Sequence, residues 1–156
     1  MNDNPNFMSV LDKPAESLEA PKPIPVGNYL AIINGPHETK EVGQNKTLFA
    51  AFPVKLIQPQ PDVDMAALQD ALTSKDGTVK SLGDVKMTHD MALTENSAFI
   101  VRDWLRDVLG IDEAGKTLRQ MLGEAVGKQF IATVKHGMTK SNNPRVFASI
   151  SDTAKV

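Results

Sequence analysis

The chain has 156 residues, 41% of them hydrophobic and 23% charged, with a formal net charge of -2. That length suffices for one sizeable core with tails, and no apolar run approaches the roughly 18 residues a membrane-spanning helix needs. The absence of cysteine excludes disulfides, thiolate nucleophiles and sulfur-ligated zinc, leaving packing to hold the fold.

The first segment, Met1 to Pro25, carries Pro5, Pro14, Pro21, Pro23 and Pro25 with scattered charges and no sustained period. Pro-Lys-Pro-Ile-Pro can join neither a central strand nor a helix, so a flexible Pro-rich arm over residues 1–26 is expected. Asp3 and Asp12 lie where a signal peptide would carry basic residues, which points to a soluble protein of the cytoplasm. A barrel domain is expected over residues 27–151 and a short tail over 152–156.

Tyr29 to Ile33 reads as a short apolar strand ended by Asn34, Gly35 and Pro36, followed by a long polar turn through Lys40, Gly43 and Asn45. From Thr47 to Leu56, Leu48, Ala50, Phe52, Val54 and Leu56 alternate with Phe49, Ala51, Pro53 and Lys55, the period of a strand with one buried face. Pro53 cannot donate to a ladder, so an edge or bulge is expected there. Between Gln58 and Asp84 an insertion is expected. Asp62 or Asp64 caps a short helix over Met65, Leu68 and Leu72, and Lys75-Asp76-Gly77 closes it.

Val85, Met87, His89, Met91 and Leu93 share one face of a third strand. A helix is expected from about Thr94 to Leu109, with Thr94 as N-cap, an apolar stripe of Ala98, Val101, Trp104, Leu105 and Val108, and Gly110 as its stop. A shorter helix over Leu118 to Leu122 leads into a final hairpin. There Phe130, Ala132 and Val134 pair in pattern with Val146, Ala148 and Ile150 across a loop holding Gly137, Lys140, Ser141, Asn142, Asn143 and Pro144. This order predicts a mainly β fold with helices: an OB-like, five-stranded Greek-key β-barrel, with a helix between strands 3 and 4 and a helical insertion between strands 2 and 3.

Gly110 to Thr117 matches the phosphate-loop pattern G-x-x-x-x-G-K-[ST], but it follows a helix rather than a buried strand, and Asp112 and Glu113 put negative charge inside the loop. A helix stop, a linker and the next helix start account for it. His37, His89 and His136 lie on separate segments without metal-ligand spacing, and no nucleophile has a sequence-visible partner. The sequence therefore predicts no enzyme activity, no cofactor and no metal.

The basic hairpin is more informative. From Lys128 to Val156 five bases stand against Asp152 alone. With the apolar strand faces turned inward, Phe49, Lys55, Thr133, Lys135, Arg145 and Phe147 turn outward. Aromatics interleaved with cations can stack unpaired bases while holding phosphates. The candidate nucleic-acid-binding residues are Lys46, Phe49, Lys55, Lys135, Lys140, Asn143, Arg145 and Phe147. The competing reading has the hairpin as an ordinary solvated surface and the two rings covered by the arm or the insertion helix.

Four stretches together carry a family resemblance: Pro-x-Pro-Val-Gly-Asn-Tyr-Leu-Ala-Ile-Ile, Lys-Thr-Leu-Phe-Ala-Ala-Phe-Pro-Val-Lys-Leu, Asn-Ser-Ala-Phe-Ile-Val-Arg-Asp-Trp-Leu-Arg-Asp-Val-Leu-Gly-Ile, and Val-Gly-Lys-Gln-Phe-Ile-Ala-Thr-Val-Lys before an Asn-rich hairpin. Over roughly Pro23 to Ile150 the chain resembles the phage-encoded single-stranded DNA-binding-like OB-fold proteins of replication and recombination modules. That resemblance implies a non-catalytic protein that coats or escorts single-stranded DNA in the cytoplasm of a bacterial host. Expected partners are single-stranded DNA, a second copy of the chain, and phage replication or virion proteins, with no membrane. The acidic overall charge and the Pro-rich arm keep a second class open, a phage structural or assembly protein that uses barrel and arm for protein contacts.

Overall fold

A computed structural model describes residues 11, 12, 14, 15 and 22–156 of the chain. The expectation for the N-terminal arm therefore lies largely outside the described residues. In chain order the elements are strands β1 (Gly27–Ile33), β2 (Glu38–Val42) and β3 (Thr47–Pro59), helix α1 (Met65–Leu72), strand β4 (Met87–Ala92), helices α2 (Ala98–Asp107) and α3 (Leu118–Glu124), and strands β5 (Gln129–Met138) and β6 (Val146–Ala154). A 3-10 turn, Leu82–Asp84, precedes β4.

All strand pairs are antiparallel and belong to one six-stranded sheet. The long β3 organises it. Val54 pairs with both Ile33 of β1 and Met87 of β4, and Phe49 with both Lys40 of β2 and Ala92 of β4. Thus β1 and β2 follow one another along one edge of β3, while β4 takes the other edge. β5 continues the sheet from β1, and β6 from β5. Register shifts at Leu30/Ala31 and Thr133/Val134 leave an extra residue on β3 and on β6, the kind of bulge that bends a strand and raises its twist. The sheet curls until the Cα traces of the terminal strands β4 and β6 come within 8 Å, but no ladder joins them. The expected closed barrel is not formed: the sheet stays open along this seam.

The period-two faces land as the hydrophobic pattern requires. Tyr29, Ala31 and Ile33 of β1, Ala50, Phe52, Val54 and Leu56 of β3, and Phe130, Ala132 and Val134 of β5 are buried. Leu48 departs from this row and is 39% exposed, because it sits at the start of β3 beyond the end of the core. From α2 come Val101, Trp104 and Leu105, and from α3 Met121 and Leu122. Trp104 covers one end of the sheet's interior, its ring centroid 5.2 Å from Phe52, 4.9 Å from His89 and 5.9 Å from Phe130. Its indole N–H donates to Thr153 Oγ1 at 2.8 Å, tying the helix to the end of β6. Tyr29 is fully buried, and its hydroxyl donates to the Pro25 carbonyl at 2.7 Å. Burial first and the Asp62 carboxylate second push its pKa up to about 12.

Three expectations need correction. The long polar turn through Lys40 is a strand, β2, all of whose residues are exposed. Its ladder with β3 supplies what the sequence pattern lacks, since an edge strand without an apolar face shows no period. The sheet consequently has six strands rather than five. The helix expected from Thr94 begins at Ala98. Thr94 and Ser97 spend their hydroxyls on one another across a preceding turn, and the Ser97 hydroxyl donates to the Ala92 carbonyl. The arm expected to stay free up to residue 26 docks earlier: Ile24 is buried, with its carbonyl 2.6 Å from His136 Nε2.

Other details follow the pattern. Pro53 lies where β1 has ended and β2 has not begun; its carbonyl accepts from the Asn34 N–H at 2.8 Å, so its missing donor faces that gap. Asp64 is the N-cap of α1, accepting from the Ala67 N–H, while Asp62 accepts from the Asn28 side chain and backbone. Gly110 ends α2 with φ 73°.

Candidate nucleic-acid interface

The seam between β4 and β6 is where the chemistry collects. β4 is led into place by the 3-10 turn, where Asp84 accepts from the Ser81 backbone and hydroxyl at 3.1 Å each. Opposite it, the second edge of β6 has no ladder partner. Two concavities open along this line. The larger, about 700 Å³, has the outward face of β3 at Ala51, Pro53 and Lys55 on one side and Ala148 and Ser149 of β6 on the other. The smaller, about 350 Å³, lies between Lys22 to Ile24, Ala71 of α1, Lys80, and the start of β6. Val85, Lys86, Met87 and Ala148 border both, so the two adjoin across a shared wall.

Phe147 is 43% exposed and lies directly opposite Gly137 in the β5–β6 ladder. A Cβ at residue 137 would come within 2.8 Å of Phe147 Cζ, so the ring tip occupies the space a side chain there would take. Glycine thus lets the aromatic lie across the ribbon. Lys80, Lys86 and Arg145 line the same concavity as Phe147, and Lys55 lines the other. Lys55, Lys80, Lys86 and Arg145 make no ion pair among the described residues, whereas Lys22 is paired with Asp70 at 3.1 Å. The larger concavity also holds Glu38 and Asp84; among the described residues the smaller has no acidic lining.

Of the residues the sequence singles out, Lys55, Arg145 and Phe147 line these adjoining concavities. Phe49 shares the outward face of β3 with Ala51, Pro53 and Lys55 and is half-buried, beside a Lys40–Asp90 ion pair of 2.7 Å that crosses the strand. Lys135 is exposed on β5 opposite Ser149. Lys140 and Asn143 are exposed in the β5–β6 loop and Lys46 in the β2–β3 turn; none of these three borders either concavity. Sequence reasoning missed Lys80 and Lys86. Lys80 lies late in the insertion and Lys86 just after it, and only the approach of β4 to β6 brings them beside Arg145.

The remaining motifs resolve into structure. Thr117 is the N-cap of α3 in a capping box with Gln120, and Lys116 pairs with Glu124 at 2.9 Å, so neither is directed at a phosphate. His89 is largely enclosed against Trp104; burial lowers its pKa, outweighing the opposing pull of Asp90, and its Nε2 has no hydrogen-bond partner. On the exposed face of α2, Arg106 bonds to Asp107 and Glu113, which raises the guanidinium's pKa and holds the Asp107 carboxyl below its ordinary range. Among the described residues no three His, Cys, Asp or Glu side chains could together hold a metal ion, and no helix is long and apolar enough to cross a membrane. No protein-family model matches the chain, and neither does any curated protein.

Proposed function

We propose that this chain is a non-catalytic single-stranded DNA-binding protein, an accessory of phage replication or recombination in the cytoplasm of a bacterial host. The carrying observation is the pair of adjoining concavities along the seam, one lined by the exposed Phe147 with Lys80, Lys86 and Arg145 and the other by Lys55, none of these cations being ion-paired among the described residues. An aromatic face accepts any unpaired base, at about 1–3 kcal/mol per base, and the cations follow the phosphates. The OB-like Greek-key reading fits when β1 and β2 are taken as one bent first strand along β3. β4, β5 and β6 then become strands 3 to 5, with α2 between strands 3 and 4 and α1 in the preceding connection.

The test is fluorescence anisotropy with labelled oligo-dT beside a duplex of the same length. Preferential binding of the single strand supports the proposal. Equal binding of both would reduce the seam to a general polyanion surface and overturn it. The assembly-protein reading draws on Phe99 and Ile100, neighbours on the first turn of α2 that are each more than half exposed. It expects no oligo-dT binding.

A further inference from the structure

We infer that the smaller concavity is a pocket for one nucleotide, holding an unpaired base together with its adjacent phosphate. This rests on the single-stranded DNA reading and adds to it a defined anchoring position, apart from the open track over β3. At about 350 Å³ the concavity falls at the small end of the ~300–1,000 Å³ typical of small-ligand pockets. Its interior is apolar, built from Ile24, Val85, Met87 and Ala148, with Phe147 at its border. Lys80, Lys86 and Arg145 supply three cations, and among the described residues these have no ionic partner and no acidic side chain lines the space.

Neither half of this chemistry explains the other. A purely apolar ligand leaves three neighbouring positive charges uncompensated, at a cost in mutual repulsion. A bare inorganic anion leaves the apolar wall without a use. A nucleotide answers both, because its base has a π-face and its phosphate accepts charge-assisted hydrogen bonds. Adjacency points the same way, since Lys86 and Ala148 border both concavities and a strand lying over β3 passes beside the smaller one. The walls are held from several sides. The His136 contact fixes Ile24, the Lys80 N–H donates to the Leu72 carbonyl, and an isolated bridge joins Thr73 to Val79.

The experiment titrates the full chain with thymidine 5′-monophosphate, thymidine and inorganic phosphate, following backbone amide shifts by NMR. The expected result is saturable shifts at Val85, Met87 and Ala148 with the monophosphate, each half-molecule binding at least about 10-fold more weakly. Lys80→Gln, at an exposed position, should weaken the monophosphate about 5- to 10-fold. Oligo-dT binding without monophosphate shifts at these residues overturns the pocket and leaves the DNA reading standing. Loss of both overturns the two together. Phosphate binding as tightly as the monophosphate makes the pocket a plain anion site and overturns the inference. So do shifts produced by an acidic peptide of residues 1–21 and not by the nucleotide.

Discussion

Phe147 and Gly137 act as a pair. The ring owes its position to the missing side chain opposite, so each residue should affect binding through the other. Phe147→Ala should lower oligo-dT affinity by about 5- to 100-fold, the loss of one stacked base, while the melting temperature stays within a few degrees because the ring is half in solvent. Gly137→Ala should displace the ring and weaken binding alone, yet add little in the Phe147→Ala background; full additivity in that double-mutant cycle would contradict the coupling. His89 tests the interior. Its folded pKa lies below its ordinary 6.5, so the unfolded chain binds the proton more readily. Stability from the neutral ring is complete above about pH 6.5 and is lost as pH falls toward the folded value. His89→Leu should therefore lose less melting temperature than the parent between about pH 7.5 and pH 5. Equal losses would remove His89 as the cause.

At the scale of elements, α2 is the piece on which the curled sheet depends. Trp104 touches Phe52, His89 and Phe130 and bonds to Thr153, so one side chain links β3, β4, β5 and β6. Trp104→Ala should cost about 3–5 kcal/mol in urea unfolding, while Arg102→Ala, in an exposed ion-pair cluster, should cost under about 1 kcal/mol. Comparable losses for the two would show that the interior cluster is not what secures the helix. Elements that bury one face were legible in the sequence, because alternation in β1, β3, β5 and β6 and the stripe on α2 are written by the core itself. β2 was not, since Glu38, Thr39, Lys40, Glu41 and Val42 are all exposed and only the ladder to β3 makes them a strand. The start of α2 was misplaced because Thr94 has a capping side chain that is used one turn too early.

Across the whole molecule, the site is legible only in part for a topological reason. Arg145, Phe147 and Lys55 announce themselves by outward position on patterned strands, but Lys80 and Lys86 lie in and just after an insertion whose place is decided by how far the sheet curls. A chain with a formal charge of -2 can still present a positive track if curling gathers its unpaired cations on one seam. The account stands on that gathering. Its most direct test is the affinity for labelled oligo-dT across a series of salt concentrations. Four cations meeting phosphates should release counterions and give a linear fall of log affinity against log salt with a slope of about -3. Absence of binding at low salt, or an affinity indifferent to salt, would contradict it.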